Sequence, residues 1–382
     1  MFGYCGCDRG GIKGDLVMGY LDDITIGGGV KDLISLVPKI EESSLSLGLS
    51  LNRSKGEFVK RGVEFEAEIT ASGLGVPLRD WSEAGLLGSP LYVEGVSGVL
   101  DERCADLCRL TMRLQFLSRH ESLFLLRSSL GVPRLLHVLR SSPCFLSPNV
   151  AVFDEALKTS LSKISNCDLS DDAWARASLP VRWGGLGVRS VSSLAVPAFL
   201  ASSIASLPLI KALLPLGRLG PLDSVMAEAK VSWMGAGELA IAPTPLPVGQ
   251  RGFDDLVCRA KFNTLLERTG GAVRASLLAA AAPNSGCWLE ALPSPSLGLR
   301  LGDEELRVAV GLRVGCPVVS AHVCTCGVPV APDGFHGLSC HRSAGRASRH
   351  ASINNILAMA LRSAGVPTNP FLVMHVGRMM LQ

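Results

Sequence analysis

Apolar and polar positions alternate in short runs near the start of the chain and fall at helical spacing further on. Leu16, Val17, Met18, Gly19, Tyr20 and Leu21 precede two acids, Asp22 and Asp23; Ile24, Thr25 and Ile26 follow, then a glycine run at 27–29. That order predicts strand, tight acidic turn and strand, a hairpin with its carboxylates at the tip. Leu33, Ile34, Val37, Ile40, Leu45 and Leu47 predict an amphipathic helix over 31–48, closed by Gly48. Residues 49–52 and 58–69 alternate like strands. From 101 to 139 the pattern turns helical and basic. Leu107, Leu110, Leu114, Leu117, Leu123, Leu126 and Leu130 line one side, with Arg103, Arg109, Arg113, Arg119 and Arg127 between them. Helices are predicted again at 150–165, 190–215, 253–282, 303–314 and 346–364, and residues 216–250, rich in Pro and Gly, read as a linker or loose connector.

Composition sharpens this only in places. The chain has 382 residues, 47% of them hydrophobic, enough for a sizeable core and for two or three modules. With 41 glycines and 22 prolines it is expected to have many short elements. The formal net charge of +3 is too small to name a nucleic-acid partner by itself. Its distribution says more: no Asp or Glu follows Asp333, while Arg342, Arg346, Arg349, Arg362 and Arg378 all do. Either this is a solvated basic surface or it is a place for phosphates. Twelve cysteines with no apolar leader at the start fit an intracellular, reducing compartment, nuclear or cytoplasmic, and not a disulfide framework. The uncharged run at 190–210 carries six serines and two prolines and reads as a buried helix pair, not a membrane span.

Two carboxylates at a hairpin tip repel each other unless a cation shares them. A pair of Mg²⁺ ions removes that cost and can activate a 3′-hydroxyl and stabilise leaving pyrophosphate. An ordinary Asp-rich turn has the same residues. The context adds to the pair. Tyr20-Leu21-Asp22-Asp23 between apolar strands resembles the catalytic hairpin of reverse transcriptases. Gly48-Leu49-Ser50-Leu51-Asn52-Arg53-Ser54-Lys55 resembles the helix–strand motif that comes next in that family. Leu86-Leu87-Gly88-Ser89-Pro90-Leu91 resembles the start of the primer grip. Arg182-Trp183-Gly184-Gly185-Leu186-Gly187, with Pro197-Ala198-Phe199-Leu200, resembles the connector of non-LTR retrotransposon polyproteins.

The resemblance covers most of the chain and implies an RNA-directed DNA polymerase, a nucleotidyltransferase acting on an RNA template and a DNA primer. It implies that Asp22 ligates catalytic Mg²⁺, that Asp23 assists it, that Tyr20 lies near the primer terminus and that Lys55 neutralises the pyrophosphate. Gly56 stands where many relatives have Cys, and a solvated turn lysine is the plain alternative for Lys55. A third aspartate comes from an upstream strand in such enzymes, and neither Asp15 nor Asp8 suits that place. The chain alone is therefore expected not to polymerise.

Cys324-Thr325-Cys326-Gly327, then His336 and Cys340, supply two pairs of soft ligands across a short loop. Zinc favours four such donors in a tetrahedron. Cys316, His322, His341 and His350 are nearby substitutes, and a small core of unpaired cysteines is the alternative. A Cys/His knuckle followed by a basic helix resembles retrotransposon proteins that carry a restriction-like endonuclease, though the spacing departs from their commonest pattern. The carboxylates of such a nuclease do not follow here.

These readings combine into an α+β chain. Residues 1–95 are expected to be the later part of a polymerase palm with its β-hairpin, and 96–145 a helical thumb. Residues 146–315 are expected to form a helical connector, and 316–382 a small zinc-knuckle module opening a truncated endonuclease-like region. Nucleic-acid backbone is expected along 101–140 and at the basic C-terminal region. A rival from another class is a non-catalytic nucleic-acid-binding zinc protein or a decayed retroelement remnant.

Overall fold

The computed structural model describes residues 16–20, 23–60, 66–213, 220–342 and 345–367. The expected hairpin is there: β1 (Leu16–Tyr20) runs antiparallel to β2 (Asp23–Gly27), with Tyr20 opposite Asp23 across two connecting residues. α1 (Val30–Ser46) follows, as its periodicity predicts, with Leu36 buried and Leu45 and Leu47 exposed. The alternating stretch at 49–52 does not form a strand. It is held by Arg53, which pairs with Glu41 and donates to the Leu74 carbonyl at 3.0 Å, so a side chain does what a ladder would. The alternation at 58–69 yields only β3 (Phe58–Lys60), with α2 (Glu66–Ala71) beyond it. β3 pairs in parallel with β4 (Leu78–Asp80). β5 (Gly85–Leu86) and β6 (Ser89–Pro90) close a second tight hairpin, whose turn residues Leu87 and Gly88 have φ of 51° and 80°. Positive φ at both positions is what a two-residue turn between twisted strands requires.

From here the chain is nearly all helix. The basic stretch expected as one helical run is broken into α3 (Glu94–Leu114), α4 (Arg119–Leu125) with a π turn over Leu126–Leu130, and α5 (Leu136–Ser141). The break before α4 is a capping box: the Ser118 hydroxyl accepts from the Glu121 N–H, and the Glu121 carboxylate accepts from the Ser118 N–H at 3.1 Å. α6 (Asn149–Ser165), α7 (Asp171–Ala177) and α8 (Val191–Leu213) follow. α9 (Gly220–Ala236) lies inside the stretch expected as a linker, which corrects that expectation. Its Trp233 is fully buried, meets the Phe253 ring at a tilt of 57° with centroids 4.9 Å apart and donates to the Phe253 carbonyl at 3.0 Å, so burial of a large aromatic overrides the Pro/Gly signal. α10 (Gly249–Arg268), α11 (Gly271–Ala280), α12 (Cys287–Glu290) and α13 (Asp303–Val314) complete the body. β7 (His322–Val323), β8 (Pro329–Val330), α14 (His336–Ser339) and α15 (Gly345–Ser363) end the described chain.

The core sits where α3, α4, α6 and α13 meet. Leu100, Leu107 and Leu114 repeat every seven residues along α3 and pack with Phe153, Leu157 and Leu161 of α6 and Leu306 and Val310 of α13. Each such leucine contributes about 1.5–3 kcal/mol by leaving water. This cluster runs from Val96 to Cys316, so packing does not break at the boundary expected near 145. α8 is a single continuous helix with Pro197 and Pro208 inside it, not a helix pair. Over Val191–Ala212 it is long and apolar enough to cross a membrane, yet it packs against α5, α9 and α10. Its start is capped from a distance: the buried Asp154 carboxylate accepts from the Val191 N–H at 2.6 Å, the Ser192 N–H at 3.1 Å and the Ser190 hydroxyl at 2.7 Å. The whole is helix-rich with four two-stranded sheets among the described residues, an α+β composition.

Arg313 ties α13 to the body. Its buried guanidinium donates to the carbonyls of Gly185 at 2.9 Å, Val181 at 3.0 Å and Ser285 at 3.2 Å. Replacing Arg313 by Met keeps much of the side chain's length and leaves those carbonyls without a donor. It is expected to lower the free energy of unfolding in urea by about 3 kcal/mol, while Arg251→Met on the exposed side of α10 leaves it unchanged.

Candidate metal centre

β7 and β8 pair with His322 opposite Val330 and Val323 opposite Pro329, which fixes a five-residue connection, Cys324 to Val328, at their tip. Within it the Gly327 N–H donates to the Cys324 carbonyl at 2.8 Å and the Cys324 N–H to the Val328 carbonyl at 3.0 Å. Gly327 has φ of +84°, a conformation a side chain would strain, and it turns both thiols to one side. The opposite wall is α14. The Asp333 carboxylate accepts from the Phe335 N–H at 3.0 Å just before it, and the Cys340 N–H bonds the His336 carbonyl at 2.8 Å. His336 and Cys340 are four residues apart and therefore face the same way.

The four side chains converge. The ligand atoms of Cys324, Cys326, His336 and Cys340 all lie within 4.8 Å of one another. Cys326 Sγ is 3.3 Å from His336 Nε2, and Cys324 Sγ is 3.8 Å from Cys340 Sγ. Four donors about 2.3 Å from a tetrahedral centre stand about 3.8 Å apart, so the spacing already suits one ion. The group can hold a metal, and its three sulfurs and one imidazole are compatible with zinc. Electrostatics agree with ligation. The Cys324 thiol is pulled down to about 6, first by the Cys326 backbone N–H and then by His336 and the neighbouring thiols. Burial and the thiols beside it hold Cys340 up. The lowering at Cys324 favours the thiolate that a metal ion binds.

The substitutes fall away. His322 bonds the Ser320 carbonyl at 2.8 Å, His341 is exposed, and Cys316 is buried in the helical core beside Cys167; the side chain of His350 lies outside the described residues. No disulfide forms among the described cysteines. What sequence reasoning missed is the anchoring. The Val318 N–H donates to the Pro332 carbonyl at 2.8 Å, and its carbonyl accepts from Arg307 at 3.1 Å. A Cβ on Gly311 would stand 2.4 Å from one Val318 methyl, and one on Gly334 2.5 Å from the other. Arg342 closes the tip by donating to the Thr325 carbonyl at 3.0 Å. Only the glycines at 311 and 334 could have signalled this, and nothing in their spacing says what they approach.

The hairpin residues divide. Asp22 lies outside the described residues. Asp23 is exposed at the start of β2, and Tyr20, 41% exposed, faces it across the connection. Lys55 is exposed in the turn at 53–55, and its side chain makes no hydrogen bond or ion pair among the described residues. The expected basic face is thinner than the sequence implies. Arg127 turns inward against Gly187, and Arg119 pairs with Asp303 at 3.5 Å. Arg378 lies outside the described residues. The chain matches no family model and no curated protein.

Cobalt(II) is expected to bind the purified chain at one ion per molecule with a tetrahedral thiolate spectrum, and Cys326→Ala to abolish that spectrum. The Cys324 pKa falls from 9.0 to about 6 on folding, so the stabilisation from its thiolate is full above about pH 9 and lost as pH falls through about 6. Metal affinity measured by chelator competition is expected to drop steeply over the same range.

Proposed function

We propose that this chain is the later part of a reverse transcriptase of the non-LTR retrotransposon type, holding nucleic acid on a helical body that ends in a zinc knuckle. The observation that carries the reading is the β1–β2 hairpin, with Asp23 opening its second strand and Tyr20 opposite. Its support comes from order along the chain. The hairpin is followed by α1 and Lys55, then by the tight turn at 85–90, whose Leu87 carbonyl is held 3.0 Å from His137 Nε2 on α5. The helical body and the Cys/His group come after.

In this reading Asp22 and Asp23 hold Mg²⁺, which when bound supplies activation of the primer 3′-hydroxyl and charge neutralisation on pyrophosphate. Tyr20 packs near the primer end and Lys55 offers its ammonium to the departing phosphates. No further strand pairs with the hairpin among the described residues, and in this reading the carboxylates are half of a site. In this reading the zinc-held tip offers Arg342 to nucleic-acid phosphates. The setting is intracellular, where thiols stay reduced.

A second reading, a nucleic-acid-binding zinc protein without catalysis, is favoured by one contrast. The Cys/His group brings all four candidate ligands together beside the core, whereas the hairpin pairs with no further strand among the described residues. Both readings require a salt-sensitive grip on nucleic acid. The purified chain with Mg²⁺ and deoxynucleotides is expected to bind a primed RNA template, ever more weakly as salt rises, and to leave the primer unextended. Extension that Asp22→Ala abolishes would overturn the half-site. Affinity indifferent to salt would overturn nucleic-acid binding, and both readings with it.

A further inference from the structure

One carboxylate on α3 gathers three guanidinium groups. Asp106 pairs with Arg109 one turn on, and its other oxygen stands 3.7 Å from Arg103 Nη1 and 3.9 Å from Arg134 Nη2. Both longer distances exceed a hydrogen bond, so the donors of Arg103 and Arg134 are oriented but unspent. Three cations around one anion, with the exposed Glu102 one turn before Asp106 on the same side, leave a local charge of about +1. Asp106 itself is only 17% exposed, while Arg109 is 68% exposed, so the excess charge faces water. The seat is rigid. Arg103 lies between the buried Leu100 and Leu107, and Arg134 sits on a 3-10 turn pinned by the buried Val132 and Leu135.

The same face continues along the helix. Arg113, four residues after Arg109 and about 6 Å further along the axis, is exposed and has no ion-pair partner among the described residues. Three residues on, in the turn that ends α3, Phe116 is 83% exposed. At 100° per residue, positions 106, 109, 113 and 116 share one side. A row of cations that ends on an open aromatic ring matches a polymer of phosphates with unpaired bases better than it matches a lone anion or a duplex, whose bases are hidden.

We propose that single-stranded nucleic acid lies along this side of α3, with a backbone phosphate on Arg103, Arg109 and Arg134, the next on Arg113 and a base against Phe116. Asp106 positions the arginines and competes with the phosphate for them, so it sets how tightly the strand is held. The inference rests on the nucleic-acid reading above and gives it an address away from the knuckle. RNA and DNA strands share this chemistry, and a 2′-hydroxyl is not needed for it.

The test is fluorescence anisotropy of the full chain, loaded with zinc, with labelled oligouridine, oligothymidine and a mixed-sequence duplex. Arg109→Gln with Arg113→Gln is expected to weaken both single strands about tenfold and flatten the log–log salt slope by about 1.4, two contacts at 0.7 each. Phe116→Ala is expected to weaken single strands about tenfold with the salt slope unchanged and to leave the duplex unaffected. Asp106→Asn is expected to tighten single strands. These side chains are exposed apart from Asp106, and matching thermal midpoints check that each variant folds. Wild-type binding with these variants indistinguishable from it, or Asp106→Asn weakening it, would overturn this address and leave the knuckle as the contact. A wild-type chain that binds none of the three probes would overturn the nucleic-acid reading and this inference together. A preference for RNA over DNA that survives Phe116→Ala and the arginine changes would likewise place the strand elsewhere.

Discussion

A buried cation that meets no carboxylate among the described residues holds the junction on which the far end of the molecule depends. Arg313 spends its guanidinium on the carbonyls of Gly185, Val181 and Ser285, all neutral acceptors. A planar, weakly hydrated guanidinium tolerates this where an ammonium would not, because its donors fan out in the plane where carbonyls can meet them. The carbonyls must first be turned inward, and that explains the glycines at 184–187. A Cβ on Gly185 would stand 2.0 Å from the Leu179 carbonyl oxygen, and Gly184 and Gly187 have φ of +81° and +75°. Arg176 then donates to the Arg313 carbonyl at 3.1 Å, near the C-terminus of α13 where the helix dipole is negative. Burial lowers the pKa of both arginines.

Through that junction the knuckle becomes part of the body. α13 ends at Gly315, and Cys316 is already in the core; Val318 is two residues further on, beside the strands that carry the thiols. A tip of this size has little apolar surface of its own, and the two buried residues Val330 and Cys340 are the measure of it. Its stability is borrowed from α13 and from the ion it can hold.

The sequence made the periodic elements plain: the first hairpin, α1, α6, α13 and the final helix all stand where hydrophobic spacing put them. The four side chains of the candidate metal centre were legible too, because thiols and imidazole at short spacing have few other reasons to coincide. What spacing could not show was anything decided across distance. Trp233 finds Phe253, Asp154 caps a helix that begins thirty-seven residues later, and Arg53 replaces a strand by reaching Glu41. Each is a tertiary choice overriding a local signal. The arginines at 101–140 looked alike in the sequence, yet Arg127 packs inside, Arg119 is matched by Asp303, and three others share Asp106.

The clasp of Val318 between Gly311 and Gly334 has a consequence for descent. A methyl group gained at either glycine has nowhere to go unless the valine gives way or shrinks. Positions 311 and 334 are therefore free to gain a side chain only in a lineage where residue 318 has first become smaller.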